Sequence, residues 1–227
     1  MKQDLTTIPI GEVFEPRDGC PLCRLRDLLE TRVTDYITGA AMMEPDIRIE
    51  TNAQGFCLTH YRQMLKKRNR LSVALTMESR LDELDRRVFG GLPVGREKRA
   101  AEAQSTCFVC REVDGTMDKM TATVCRQWEA DRDFRALFSE QPFLCLPHYT
   151  ALIAASSRMS RKGAAAFGKE AAELCRGYLQ TLREDVHHFT TMFDYRNSGP
   201  DADWGNSRDS IERTVAFLTG RDPDGEG

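Results

Sequence analysis

Two stretches of this chain repeat one arrangement of cysteine and histidine, and that repeat limits what the chain can fold into. The first is Cys20-Pro21-Leu22-Cys23, answered by Gly55-Phe56-Cys57-Leu58-Thr59-His60. The second is Cys107-Phe108-Val109-Cys110, answered by Phe143-Leu144-Cys145-Leu146-Pro147-His148. Each is a C-x2-C followed by a C-x2-H, with 34 positions from second to third cysteine in one copy and 35 in the other. The pattern uses six of the chain's eight cysteines and two of its four histidines.

A helix brings positions i and i+3 onto one face, so a pair opening a helix can aim two ligands at one point. Thiolates there also gain from the positive end of the helix dipole. Two such pairs make a four-ligand shell, which suits the tetrahedral preference of Zn²⁺. The sequence therefore reads as two Cys3His sites, each clamping one helical hairpin: Cys20, Cys23, Cys57 and His60, then Cys107, Cys110, Cys145 and His148. Two Zn²⁺ ions are the expected occupants; an iron–sulfur cluster is the alternative, since the same donors also hold iron. A thiol redox pair usually sits in a βαβ setting, which this sequence lacks.

The rest of the chain reads as helices. Leu22, Leu25, Leu28, Leu29 and Val33 recur at three and four, and Gly39 ends that stretch. Val113, Met117, Met120, Val124 and Trp128 form a second stripe of period near 3.6. Leu71, Leu75, Leu81, Leu84 and Val88 are expected to share one buried face. Leu174, Tyr178, Leu182, Val186, Phe189 and Phe193 form the stripe of the longest helix, read from about Ala165 to Tyr195 after a break at Arg161-Lys162-Gly163. A last short helix, capped by Asn206 or Ser207, carries Ile211, Val215 and Leu218 and stops at Gly220. Residues 1–19, with Pro9 and Pro16, read as an extended lead-in, Met42 to Gly55 as a loop, and RDPDGEG as a frayed tail. No segment alternates like a strand. The expected fold is all-α: two related metal-clamped hairpin units, an internal duplication, packed as one helical bundle with a C-terminal helical arm. The expected divisions are 1–95, 96–196 and 197–227, with Gly90, Gly91, Pro93 and Gly95 marking the first linker.

Function is less legible. No apolar run approaches the roughly 20 residues of a membrane helix. MKQDLTTIPI does not read as a signal peptide, which points to the cytoplasm, where cysteines stay reduced. The formal charge of −3 gives no general pull on nucleic acid or anionic lipid. Arg62, Lys66, Lys67, Arg68 and Arg70 form a local basic run, read as a solvated helix face with nucleic-acid contact as the alternative. Glu44, Asp46 and Arg48 are candidate ligand-binding residues. Copy two repeats the triplet as Asp133-Phe134-Arg135, which favours a structural role for Asp46 and Arg48. Cys125 and Cys175 read as core residues, and His187 and His188 as a solvated pair. No phosphate loop, dinucleotide fingerprint or Ser–His–Asp arrangement is present. The closed ligand shells favour an adaptor or regulatory module with a protein or small-ligand partner; a metal-dependent enzyme and a nucleic-acid binder are the alternatives.

Several segments together resemble a known family. They are Ile8-Pro9-Ile10, Cys20-Pro21-Leu22-Cys23, Met42-Met43-Glu44-Pro45-Asp46-Ile47-Arg48, Gly55-Phe56-Cys57 with His60, Asn69-Arg70-Leu71, and Phe193-Asp194-Tyr195-Arg196 with Trp204, Asn206 and Ser207. The chain is similar, over nearly its whole length, to a bacterial, clostridial-type family of unknown function, DUF6062. The resemblance implies a bacterial cytoplasmic protein and supports the same eight ligands. It supplies no activity.

Overall fold

The computed structural model describes residues 10–197, 199 and 202–223. Ile8, Pro9 and the end of the tail, 224–227, lie outside the described residues. Among the described residues the fold is all-α, with eleven α-helices and no strand.

The chain divides into two compact units, and they do not follow the two sequence copies. The first unit comprises 27–116. The second joins 10–26 to 117–223. Helices α2 (Pro21–Thr38) and α7 (Phe108–Ala130) each contribute to both: α2 opens in the second unit and continues into the first, and α7 does the reverse.

Besides its parts of α2 and α7, the first unit holds α3 (Pro45–Gln54), α4 (Leu58–Lys66), α5 (Arg70–Leu84) and α6 (Arg96–Gln104). A single 3₁₀ turn, Ala40–Met43, precedes α3, and a π-helical turn, Asp85–Phe89, extends α5. α2 ends at Gly39, whose backbone leaves the helical region at φ −116° and ψ −107°; a Cβ there would lie 2.8 Å from the Asp35 carbonyl oxygen, so glycine suits the position. Pro45 opens α3 rather than breaking the chain: it occupies the first turn, where its missing N–H costs nothing. Asn69 caps α5, its side chain accepting from Ser72 N–H at 3.2 Å. Leu29, Val33, Ile37, Phe56, Met64, Val73 and Val88 are buried here. The expected face of α5 is corrected: Leu71 and Leu81 are 68% and 66% exposed, while Ser72, Thr76 and Arg80 turn inward.

The second unit adds α1 (Ile10–Phe14), α8 (Arg132–Ser139), α9 (Leu146–Ser156), α10 (Arg161–Thr191) and α11 (Ser210–Thr219). So the lead-in is not wholly extended. Asp131 caps α8, accepting from the N–H groups of Asp133 and Phe134. Ser160 caps α10 by accepting from Gly163 N–H at 3.0 Å, so Arg161-Lys162-Gly163 is the first turn of the long helix. The core is aromatic: Phe14 packs on Phe134 and Phe138, Phe138 on Phe167, and Phe167 on Trp128, with centroids 5.1–5.9 Å apart. Phe14, Phe138 and Phe167 have no exposed surface, and each such burial contributes about 1.5–3 kcal/mol. Leu182 of the long stripe is buried, but Phe193 is 70% exposed. Gly220, in the left-handed region at φ +67°, ends α11.

Candidate metal centres

The four cysteines that lead each pair sit at helix N-caps. Cys57 and Cys145 have extended backbone, and their carbonyls accept the first helical bonds, from Tyr61 N–H at 3.0 Å and Tyr149 N–H at 2.9 Å. The Cys20 carbonyl accepts from Cys23 and Arg24, and that of Cys107 from Arg111. The partner ligand, three residues on, therefore occupies the third helical position, as in a capping box. Cys107 Sγ accepts the Cys110 N–H at 3.5 Å, so sulfur takes the place of the usual capping oxygen.

All eight expected ligands gather into two clusters among the described residues, but the partnership crosses the sequence copies. Cys20 and Cys23 meet Cys145 and His148; Cys57 and His60 meet Cys107 and Cys110. The expectation that each copy closes its own site is corrected: α2 opens in the second unit and ends in the first, so Cys20 and Cys57 fall in different units, and α7 separates Cys107 from Cys145 in the same way. A helix rises 1.5 Å per residue, so the 18 residues of α2 carry the chain about 27 Å from Cys20. In copy two, the 23-residue α7 carries the chain about 35 Å from Cys107. Each cluster lies within one compact unit, Cys57 and its partners in the first and Cys20 and its partners in the second.

The spacing fits one tetrahedral ion. With Zn–S near 2.3 Å and Zn–N near 2.05 Å, tetrahedral edges are about 3.8 Å for S···S and about 3.6 Å for S···N. In the second unit, His148 Nδ1 lies 3.6, 3.4 and 3.1 Å from the sulfurs of Cys20, Cys23 and Cys145, and Cys23 and Cys145 are 3.6 Å apart. In the first, His60 Nδ1 lies 3.1, 3.2 and 3.5 Å from Cys57, Cys107 and Cys110, with Cys57 and Cys110 at 3.9 Å. These distances far exceed a disulfide bond. Both histidines are buried and present the same nitrogen.

The electrostatics also suit a bound cation. Burial opposes ionisation of Cys20, but hydrogen bonds from Cys145, Cys23 and His148 outweigh it and hold this thiol well below its ordinary value. Its neighbours move the other way: hydrogen bonding with Cys145 and Cys20 pushes Cys23 up, and hydrogen bonding with Cys20 pushes Cys145 up to about 12. In the first unit Cys107 is buried, yet its bonds with His60 and the backbone bring it down to about 6. Burial, then the Cys107 charge, raises Cys110. Burial disfavours charge on His60, but Cys107 and Glu30 raise it to about 10. One thiol of each trio ionises at its neighbours' expense, and a divalent ion removes that competition.

The surroundings hold the ligands in place. In the first unit, Phe108 N–H donates to Gly55 C=O at 2.9 Å and Thr106 Oγ1 donates to Gln54 C=O at 2.7 Å, tying the two ligand-bearing segments together. Arg80, 5% exposed, donates to the carbonyls of Asn52, Ala53 and Ala103, near the ends of α3 and α6. Behind His60, the buried Glu30 carboxylate lies 3.8 Å from Nε2 and accepts from Gln63 at 3.1 Å. In the second unit, Gly220 C=O lies 3.5 Å from Cys23 Sγ, and a Cβ on Gly220 would lie 3.5 Å from Cys145 Sγ. Sequence reasoning missed Glu30, Arg80 and Gly220. Only the repeated pairs carry a spacing signal, and these three act across long chain separations.

The other candidates support helices. Glu44 accepts from the Tyr36 hydroxyl at 2.9 Å, and Asp46 lies exposed in the first turn of α3. Arg48 donates to Leu75 C=O at 3.1 Å. Its counterpart Arg135 donates to the carbonyls of Trp128 and Glu129 at the end of α7, and lies 4.4 Å over the Trp128 ring. Of the basic run, Lys67 pairs with Asp35 and Arg70 donates to Leu65 C=O, while Arg62 and Arg68 are exposed. Cys125 and Cys175 are buried outside the clusters; His187 is exposed and His188 half-buried.

No helix of the described residues is long and apolar enough to cross a membrane. No curated protein and no solved structure matches the chain. A family model does, over residues 1–225, and the chain belongs to that family, the family of unknown function DUF6062.

Proposed function

We propose that this chain is a cytoplasmic binding module, an adaptor or regulatory protein, whose two helical units are each stapled by a structural Zn²⁺. One observation carries the reading: each cluster supplies four protein donors at tetrahedral edge lengths. A site with four protein ligands has no open position for substrate or water, which is the mark of structural rather than catalytic zinc. The same spacing argues against an iron–sulfur cluster, because ligands on separate irons must stand farther apart than ligands sharing one ion. When bound, zinc supplies cross-linking and charge compensation, while the N-cap cysteines and inward Nδ1 atoms hold the donors ready.

Elemental analysis of protein purified with and without oxygen, with a visible spectrum of each, tests the reading. Two zinc per chain and no colour is the expected result. Iron with visible absorption overturns it and moves the family toward redox chemistry.

A further inference from the structure

Within the second unit, α7 and the end of α9 leave a cleft of about 460 Å³. Its apolar lining is Ala122, Ala155, Met159 and the buried Cys125. Three cations, Lys119, Arg126 and Arg158, line the same cleft, and all three are exposed. Arg126 is steadied by donating to Thr123 Oγ1 at 2.9 Å. The carboxylate in the lining, Glu129, is already engaged: it accepts from the Ser160 N–H at 3.2 Å and from the Ser160 hydroxyl. Gly163 leaves room for it, since a Cβ there would lie 2.2 Å from Glu129 Oε1. Glu129 thus serves the start of α10.

Three positive groups therefore share this cleft with one committed anion, on a chain whose formal charge is −3. The cleft falls within the size range of small-molecule sites. We propose that it binds a small organic anion, an oxyanion of the phosphate type carried on a compact apolar body. Arginine provides paired donors to such an oxyanion and lysine a point charge. The apolar lining is where the body rests. This assignment deepens the binding-module reading but stands on different residues, so the two fail separately.

The test is calorimetric titration of full-length, metal-loaded protein at low ionic strength with phenyl phosphate, inorganic phosphate and benzyl alcohol, with metal content measured on the same sample. Phenyl phosphate is expected to bind, inorganic phosphate more weakly, and benzyl alcohol not at all. Arg126→Gln and Arg158→Gln should each weaken phenyl phosphate by about tenfold, as loss of a charge-assisted hydrogen bond does. Lys162→Gln, outside the cleft, should leave affinity unchanged. All three positions are exposed, so these variants should melt with the parent. No binding of phenyl phosphate, or binding to both arginine variants as tight as to the parent, overturns the proposal. Inorganic phosphate binding as tightly as phenyl phosphate removes the apolar body from it. Two metals per chain without phenyl phosphate binding refutes the cleft and leaves the zinc reading intact.

Discussion

Gly55→Ala tests how the first unit is held around its candidate metal centre. Gly55 adopts φ +65° and ψ −157°, a conformation almost confined to glycine, and an L-residue held there costs about 1–3 kcal/mol. The added methyl would also lie 2.9 Å from Arg80 Nε, 3.0 Å from Nη2 and 3.1 Å from Cζ. Arg80 cannot swing away cheaply, because it is buried and bonded to three carbonyls. Each hydrogen bond to a charged group contributes about 1.5–3 kcal/mol, so losing one brings the total to roughly 2.5–6 kcal/mol. The damage reaches the metal centre, since Gly55 C=O holds Phe108 between two of its ligands. Urea unfolding of metal-loaded protein measures the cost, and chelator competition measures the metal. Gly115→Ala and Gly177→Ala are controls: both glycines lie within helices with nothing within 4 Å of the added Cβ. Each control should gain about 0.4–1 kcal/mol. A Gly55→Ala protein within about 1 kcal/mol of the parent, holding both metals equally well, would refute the reasoning.

Two further outcomes follow from the ligand surroundings. Glu30→Gln should weaken metal binding by about 10–100-fold at the Cys57–His60–Cys107–Cys110 centre alone, because a carboxylate behind a ligating histidine orients it and strengthens its donation; biphasic release to a chelator reads this, and an unchanged profile contradicts it. Metal uptake at pH 7 should expel at least four protons per chain, those of Cys23, Cys145, Cys110 and His60, whose raised values keep them protonated without metal. The sign is fixed: Cys107, lowered to about 6, is already a thiolate at that pH, and falling pH opposes metal binding by restoring the expelled protons. Titration in weak buffer with a pH indicator measures the release, and none would contradict it.

The ligands were legible because N-cap and third position leave a fixed spacing in sequence, written four times. The extent of α2 was legible because leucines at three and four run up to Gly39. Their partnership was not, because it depends on α2 and α7 each passing from one unit into the other, which no spacing of cysteines records. The helix α3 was missed because Pro45 breaks a helix in its interior but starts one at its first turn. Helix α6 was missed because Arg96–Gln104 buries only Ala103 and so carries no apolar stripe. The buried face of α5 was misread for the opposite reason: it holds Ser72, Thr76 and Arg80, whose polar atoms are there to meet backbone. Periodicity follows apolar side chains, and it cannot see a face that is buried through hydrogen bonds.

The crossed partnership of the ligands is tested most directly by metal content in two double variants. Cys23→Ser/Cys145→Ser removes two ligands from one centre and should retain one metal per chain. Cys23→Ser/Cys57→Ser removes one ligand from each centre and should retain none. One metal in the second variant and none in the first would mean that each sequence copy closes its own site, and would contradict the account.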